Sequence, residues 1–379
     1  MKGLVRNLGW PVVCGVLLAL LLIQQFPQWI GLPAKPGFQM APVLTLPSSY
    51  GVASYSDAVS SASPAVANIF TAKQVASSTN TQQLDNPPLG DYSNNLPAPS
   101  RRQSSLGSAV ILRKDGYLLT NNHVVAGADE ILVALQDGRE ALAELIGTDP
   151  ETDLAVLKIN LPDLPAVTIS PSEEQRTGDV VMAIGNPFGL GQTVTMGIIS
   201  ATGRNQLGLN TYEDFIQTDA AINQGNSGGA LIDAYGRLIG INTAIFSQSG
   251  GSQGIGFAIP APLALNVMEE IIQRGRVIRG WLGVEVQPLT NDLAESFGLI
   301  QTQGIVVSGL YRNGPAWLAG LRPGDVIMTI DGNPAGTGRN AMNLVARANP
   351  GDTVSLEILR NGETMTFTAE VGVRPVFGT

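Results

Sequence analysis

The chain of 379 residues is acidic, with 22 Lys and Arg against 31 Asp and Glu and a net charge of −9. It has no run of basic residues to neutralise a phosphate backbone, which excludes nucleic acid as a partner. One cysteine and one histidine exclude an intramolecular disulfide and a clustered metal site, and without a phosphate loop we expect no cofactor. The length suits two compact domains, and 44 Gly and 24 Pro predict a mainly β protein.

The N-terminus has the features of a membrane-insertion signal. Lys2 and Arg6 precede an uncharged run from Trp10 to Ile23, and Trp29 follows it. We expect an N-terminal transmembrane helix in the inner membrane, with the rest of the chain in the bacterial periplasm, because basic residues stay on the cytoplasmic side. A cleaved signal peptide is the alternative, although no small-x-small site follows the apolar core closely. Residues 1–35 are therefore interpreted as membrane anchor and tether.

Short apolar runs separated by turn signals fill the chain between residues 107 and 259. Tyr117 to Thr120, Ile131 to Leu135 and Val194 to Ala201 are three of them. Many short strands at this spacing predict closed barrels or a sandwich. A helical period from Ala261 to Arg274, stopped by Gly275, marks the end of a domain that we place at residues 36–275.

The remaining residues, 276–379, predict a second small domain of mixed strands and short helices. Strands are expected at Trp281 to Val286 and Asp325 to Ile330, and a helix at Asn340 to Ala348. Asn361-Gly362 between two strand-like runs predicts a β-hairpin.

The segment Gly225-Asn226-Ser227-Gly228-Gly229 is the strongest candidate for catalytic chemistry. A nucleophilic serine needs small neighbours, so that its Oγ is accessible and nearby N–H groups face the substrate oxygen. We expect Gly225, Asn226 and Ser227 to form an oxyanion hole, in which one donor contributes about 3 kcal/mol. For this motif by itself, a Gly/Ser turn between strands is the alternative.

A serine nucleophile needs a base, and His123 is the only imidazole in the chain. It follows a predicted strand directly. The imidazole needs a carboxylate to fix its tautomer, and Asp153 opens an apolar strand where its carboxylate can be partly buried. Asp149, in the turn before this strand, is the alternative.

The order His123, Asp153, Ser227 matches chymotrypsin-like double-barrel proteases and differs from α/β-hydrolases and subtilisins. The segments TNNHVV, DLAVLKI and GNSGGALID resemble the three catalytic motifs of the HtrA family, with similarity over roughly residues 55 to 375. The resemblance implies these three residues as the catalytic triad. It also implies a chymotrypsin-like double β-barrel protease domain followed by one PDZ domain.

Residues around the nucleophile predict the substrate preference. Asn226 replaces the Asp that pairs with a newly cut N-terminus in many chymotrypsin-like enzymes, so activation by such a cut is not expected. Ala221 stands where an acidic residue would select Lys or Arg. We therefore expect a small apolar S1 pocket preferring Val or Ala, lined by Ala221, Ile222, Asn242, Thr243, Ala244 and Ile245.

The start of the second domain resembles the PDZ domains that follow HtrA proteases. The similarity is carried by Gly280-Trp281-Leu282-Gly283 and by the segment from Ala319 to Ile327. In this resemblance Gly280, Trp281, Leu282 and Gly283 present N–H groups to a peptide carboxylate while the next strand pairs with the peptide. An ordinary β-turn entering a strand is the alternative for the loop alone.

A membrane anchor with one PDZ module resembles the DegS/AlgW branch of the HtrA family. That resemblance implies activation by C-terminal peptides of misfolded outer-membrane proteins and cleavage of a membrane anti-sigma factor in envelope stress signalling. It also implies a homotrimer joined around residues 50–70 and a regulatory Arg204 that relays PDZ occupancy, although an exposed Arg is by default only solvated. A general periplasmic quality-control protease and an inert tethered peptide sensor are the alternatives.

Overall fold

The computed structural model describes residues 54–75, 101–171, 175–186, 191–245, 251–296 and 304–375. These residues form a mainly β protein, as the composition predicts. The predicted anchor at residues 1–35 lies outside them. Within the described ranges, no helix combines the length and the apolar character that a membrane crossing requires.

The first sheet carries the predicted base and acid. Helix α1 (Ser56–Ala62) and the 3-10 turn Ser63–Ala65 lead into it, and helix α2 (Asn122–Val125) follows its third strand. The seven strands are β1 (Val66–Val75), β2 (Arg101–Ile111), β3 (Tyr117–Thr120), β4 (Glu130–Ala134), β5 (Glu140–Leu142), β6 (Glu144–Asp149) and β7 (Leu154–Lys158). They pair in the order β5-β4-β1-β2-β3-β7-β6, every pair antiparallel.

The second sheet closes into a six-stranded barrel in the order β10-β13-β12-β11-β8-β9. Its strands are β8 (Val180–Gly185), β9 (Thr193–Arg204), β10 (Phe215–Thr218), β11 (Ala230–Asp233), β12 (Leu238–Ile245) and β13 (Gly256–Pro260). Val181, Ile199 and Leu231 are among its fully buried core residues. Of the two barrels predicted, the described residues therefore show one closed barrel and one seven-stranded sheet.

Helix α3 (Ala261–Arg274) lies where the sequence predicts it. Val267, Met268 and Ile271 bury the apolar face against β6, β7, β12 and β13. Gly275 ends the helix in the left-handed conformation at φ +73°, and its N–H donates to the Ile271 carbonyl. Glycine takes this conformation without a steric penalty, which explains the predicted stop.

The C-terminal domain combines two sheets with three short helices. Its helices are α4 (Asn291–Ser296), α5 (Pro315–Leu318) and α6 (Gly338–Ala346). Its strands are β14 (Gly280–Trp281), β15 (Val284–Pro288), β16 (Ile305–Leu310), β17 (Val326–Ile330), β18 (Asn333–Pro334), β19 (Thr353–Arg360), β20 (Glu363–Glu370) and β21 (Gly372–Val373). β14 pairs with β21, and the larger sheet runs β15-β16-β17-β19-β20, with β18 beside β17.

Two sequence predictions in this domain have clear outcomes. Asn361 and Gly362 have φ values of +52° and +82° and connect β19 to β20, so the predicted hairpin is confirmed. The single strand predicted from Trp281 to Val286 is wrong, because Gly283 at φ +72° separates β14 from β15. β15 is an edge strand of its sheet.

Candidate active site

The structure brings His123 and Asp153 into direct contact. His123 Nδ1 lies 2.7 Å from Asp153 Oδ2, and the backbone N–H of His123 donates to Asp153 Oδ1 at 2.9 Å. Asp153 adopts φ +60°, in the left-handed region that Asp tolerates better than most residues. Its carbonyl accepts from the Asn121 side chain and the Asn122 N–H. The backbone around the acid is therefore fixed together with its carboxylate.

Asp149, the alternative acid, is engaged elsewhere. Its carboxylate accepts hydrogen bonds from Thr152 and from the guanidinium of Arg279, which also binds Glu151. Arg279 is buried, and although burial opposes its charge, the two carboxylates outweigh that effect and raise the pKa of Arg279. The geometry thus selects Asp153 over Asp149 as the partner of His123.

Ser227 lies on the barrel side of the site, with its hydroxyl bonded to a backbone carbonyl. Ser227 Oγ donates to the carbonyl of Thr243 at 3.2 Å, and no hydrogen bond joins it to His123 among the described residues. The Thr243 hydroxyl in turn donates to Asp153 Oδ2 at 2.9 Å. Sequence analysis placed Thr243 only in the S1 pocket and missed these two contacts, because they depend on two strands meeting across the site.

The loop that carries Ser227 is docked on the first sheet. The N–H of Ser108, in β2, donates to the Ser227 carbonyl, and its hydroxyl donates to the Gly225 carbonyl. Gly228 has φ +83°, and a Cβ there would lie 2.1 Å from the Ser108 carbonyl oxygen. Only glycine allows this approach, which brings the nucleophile of one sheet beside the base of the other.

Two of the three predicted oxyanion-hole N–H groups are available to a substrate. The N–H groups of Gly225 and Ser227 donate to no acceptor among the described residues, whereas the Asn226 N–H donates to the Asn223 carbonyl at 2.9 Å. The Asn226 side chain is fully buried, and its amide faces the Ala221 carbonyl. In this arrangement the donors for an oxyanion are those of Gly225 and Ser227.

The predicted S1 residues divide into two groups. Ile222 packs in the barrel core, and the amide of Asn242 is fully buried and donates to the Ala230 carbonyl at 3.0 Å. Both side chains are enclosed by the barrel, and their place in the S1 pocket stays a prediction. Ala221, Thr243, Ala244 and Ile245 remain predicted S1 residues.

The predicted peptide-binding loop lies beside an open strand edge. The N–H groups of Leu282 and Gly283 donate to no acceptor among the described residues, while their carbonyls accept from Ala316 and Tyr311. The edge strand β15 follows this loop, and the start of α6 packs against it at Val286. Gly280 pairs in β14, and the Trp281 ring meets Tyr311 edge-on at 5.3 Å.

Arg204, the predicted regulatory residue, ends β9 and is exposed. Its Nε donates to Gln217 Oε1 at 2.9 Å. The loop that follows is held by Glu213, a fully buried residue that sequence analysis missed. Its carboxylate accepts from the backbone N–H groups of Leu207, Leu209 and Asn210 at 2.9, 2.6 and 3.1 Å.

The C-terminal domain contacts the same loop through helix α6. Arg339 donates to the carbonyls of Asn210 and Thr211, each at 2.7 Å, and Asn343 donates to the Glu213 carbonyl at 2.7 Å. Arg339, Asn343 and Arg347 are spaced four residues apart, on one face of the helix. In the sequence, this four-residue spacing indicated a polar face of the helix. Nothing in the sequence indicated the loop that this face contacts.

The fold and the site define a serine endopeptidase joined to a peptide-binding domain. Residues 107–241 match the trypsin-like peptidase domain, and residues 280–371 match the PDZ domain. Within the described ranges, no group of three His, Cys, Asp or Glu side chains is placed to hold a metal ion.

Relatives and solved structures place the chain within a family. A probable periplasmic serine endoprotease DegP-like from Halomonas elongata is 43% identical over 344 residues, which is 85% of this chain and 71% of the relative. A protein of the same name from Hahella chejuensis is 46% identical over 322 residues, covering 83% and 68%. The solved structure of the HtrA-type protease AlgW with decapeptide is 65% identical with TM-score 0.72, covering 85% and 99% of the two chains. This chain belongs to the HtrA family of serine proteases, and its structure is similar to AlgW.

Proposed function

We propose that this protease works in the periplasm, that C-terminal peptides of misfolded outer-membrane proteins activate it through the PDZ domain, and that it cleaves a membrane anti-sigma factor. By this cleavage the protease acts in envelope stress signalling. The observation that carries the proposal is the contact of α6 with the loop after Arg204, because α6 also stands beside the predicted peptide-binding edge. The names of the relatives, which are periplasmic endoproteases, and the decapeptide bound to AlgW support it.

The chemical step follows from the positions of the three side chains. Ser227 Oγ attacks the substrate carbonyl, and His123 takes its proton and later gives it to the leaving amine. Asp153 keeps the proton of His123 on Nδ1, which leaves Nε2 free to act as the base. The N–H groups of Gly225 and Ser227 stabilise the oxyanion as charge develops on it.

The reacting arrangement needs a different hydrogen bond at Ser227. The Ser227 hydroxyl donates to the Thr243 carbonyl and must turn to His123 Nε2 before its proton can be transferred. An activating peptide is proposed to act on the balance between these two positions, which is a shift of population rather than the assembly of new chemistry.

Activating peptides are proposed to enter beside β15. A peptide strand there extends the sheet by main-chain pairing, and its terminal carboxylate accepts from the N–H groups of Leu282 and Gly283. The opposite wall is α6, whose Arg339 and Asn343 bind the carbonyls of the loop at 210–213. A peptide that displaces α6 changes these contacts and, through Glu213, the loop that begins at Arg204.

The assembly is proposed to be a homotrimer joined around residues 50–70 and held at the inner membrane by residues 1–35. The protease domain then spans residues 36–275 and the PDZ domain residues 276–379. Small residues pack where the proposed trimer segment enters the first sheet, and Phe70 in β1 remains exposed. The mass of the detergent-solubilised full chain, measured by light scattering, tests the trimer, and a monomer would contradict it.

The decisive experiment measures cleavage of the periplasmic domain of a candidate anti-sigma factor by the full chain, with and without a C-terminal outer-membrane-protein peptide. We expect cleavage that depends on the peptide and is lost in Ser227→Ala. Equal cleavage without peptide would point to a general quality-control protease. Peptide binding without cleavage under any condition would point to an inert sensor.

A separate variant tests whether the contact of α6 with the loop regulates cleavage. Arg339→Gln removes the guanidinium that binds two loop carbonyls and is expected to change peptide-independent cleavage by about 5- to 150-fold, the range of ordinary allosteric coupling. Arg312→Gln replaces an exposed arginine of the same domain and is the matched control. Identical rates for Arg339→Gln and the unmodified chain would show that this contact carries no regulation.

A further inference from the structure

One side chain joins the loop of the nucleophile to the segment that leads into β13. Asn223 lies between β10 and Ser227, and its Oδ1 accepts from the N–H of Ser252 at 2.9 Å. Ser252 belongs to residues 251–255, which directly precede the first residue of β13. The contact therefore joins two segments of the barrel that are 29 residues apart in the chain.

The backbone of the same residue holds the loop that carries the oxyanion donors. The Asn223 carbonyl accepts from the Asn226 N–H at 2.9 Å. This bond occupies the Asn226 N–H, whereas the N–H groups on either side of it, those of Gly225 and Ser227, have no acceptor among the described residues. Asn223 thus binds the oxyanion loop through its backbone and residues 251–255 through its side chain.

The two residues just before Asn223 are held by the strands of the barrel. The Ala221 carbonyl accepts from the Thr195 hydroxyl of β9 at 2.8 Å. Ile222 is buried in the barrel core, where a Cβ on Gly256 would lie 2.9 Å from its Cδ1. These contacts fix the start of the loop to the strands, whereas the side chain of Asn223 binds a segment outside them.

Residues 251–255 are connected to the strand that carries part of the predicted S1 pocket. Ile245, the last residue of β12 and a predicted S1 residue, pairs with Gly256, the first residue of β13. Residues 251–255 lead directly into Gly256. A contact that restrains them therefore also restrains the end of the strand that carries Thr243 and Ala244.

We propose that Asn223 is a positioning residue for peptide cleavage, which sets the oxyanion donors and the width of the S1 pocket together by binding Ser252 through its side chain. Without its Oδ1, the loop that carries Gly225 loses this restraint, and the Gly225 N–H moves relative to the substrate oxygen. A misplacement of about 1 Å at a reacting centre costs about 100-fold in rate. This role rests on the proposed chemical step at Ser227 and not on the proposed gating by peptides.

The test compares two variants of the full chain on chromogenic peptides that differ only in Val or Phe at P1. Asn223→Leu keeps the size of the side chain and removes the acceptor, so we expect kcat for the Val peptide to fall about 100-fold and the preference for Val over Phe about tenfold. Asn223→Asp keeps an acceptor oxygen in the same place and is expected to retain most of the rate and the preference. Asn333→Leu, at an exposed amide of the PDZ domain that donates to the Asp331 carbonyl, should leave both values unchanged.

A merely structural role would lower stability without changing the P1 preference, so urea denaturation is measured beside the kinetics. Asn223→Ser, whose shorter side chain does not reach the Ser252 N–H, takes the place of the Leu variant if that variant does not fold. An unchanged kcat and Val preference in the folded variant would overturn the proposal, as would an Asp variant as impaired as the Leu variant.

The same assay separates this role from the proposed function. Rates of the unmodified chain that do not respond to the outer-membrane-protein peptide would count against the gating alone, because the ratio between the Asn223 variants and the unmodified chain still tests the positioning role. An active Ser227→Ala variant would refute the proposed chemical step and the role of Asn223 with it.

Discussion

The acid–base half and the nucleophile half of the active site differ in how completely they are assembled. On the first sheet, His123 and Asp153 share two hydrogen bonds, one from the imidazole and one from the backbone. On the barrel, the hydroxyl of Ser227 is bonded to Thr243 instead of the base. The comparison teaches that the fold fixes the His123–Asp153 pair, which needs one tautomer. The attacking hydroxyl of Ser227, by contrast, can bond either to Thr243 or to the base.

The largest expected effect comes from the nucleophile half. Ser227→Ala removes the attacking oxygen and is expected to lower kcat by about 10⁶-fold, because the remaining triad members have nothing to activate. Steady-state hydrolysis of a chromogenic peptide measures it, and Ser308→Ala, at an exposed serine of the PDZ domain, serves as control. Substantial residual activity would mean that another residue is the nucleophile.

The acid–base half can be broken without moving the backbone. Asp153→Asn keeps the size of the side chain and tolerates φ +60°, but it no longer fixes the proton on His123 Nδ1. We expect kcat to fall about 10⁴-fold. Asp137→Asn, at an exposed carboxylate paired only with Arg139, should leave the rate unchanged. Comparable rates for the two variants would contradict the assignment of the acid.

Arg279 of the C-terminal domain binds Asp149, in the turn that precedes Asp153. Arg279→Met leaves Asp149 buried without its countercharge and is expected to lower the free energy of unfolding by about 3 kcal/mol. Urea denaturation followed by fluorescence measures it. Arg274→Met, which breaks an exposed pair with Glu270, should cost at most about 0.5 kcal/mol. Equal stabilities would show that the Arg279 cluster contributes no net stability.

The smallest effect is expected at Thr243. This residue tests the comparison directly, because it contacts both Asp153 and Ser227. Thr243→Val deletes the hydroxyl that donates to Asp153 Oδ2 but keeps the carbonyl that accepts from Ser227. We expect kcat to fall about tenfold with KM unchanged, and Thr243→Ser to restore it. A loss confined to KM would instead assign Thr243 to the substrate pocket.

Much of the catalytic chemistry was readable from residue type and spacing. One histidine in the chain leaves one imidazole base, and Gly-Asn-Ser-Gly-Gly marks Ser227 as the candidate nucleophile. The choice between Asp149 and Asp153 stayed open in the sequence because both precede the same strand. Arg279 settles it by binding Asp149 from 130 residues away, a contact that no local pattern indicates.

Sequence order supplied the candidates for the S1 pocket but not the direction of their side chains. Ile222 and Asn242 stand close to the nucleophile along the chain or in the next strand, yet their side chains face the barrel core. Alternation along a strand decides which side chain faces the substrate, and the bulges in β12 shift that alternation locally.

By itself, the sequence determined the mainly β composition, the identity of the base and the nucleophile, the helix at the domain boundary and the hairpin at Asn361-Gly362. These depend on local propensity or on a residue type that occurs once. Only the tertiary structure decided which carboxylate contacts His123, the partner of the Ser227 hydroxyl and the burial of Glu213. Each of these is made by residues far apart in sequence, and their contacts exist only after two sheets and two domains have packed together.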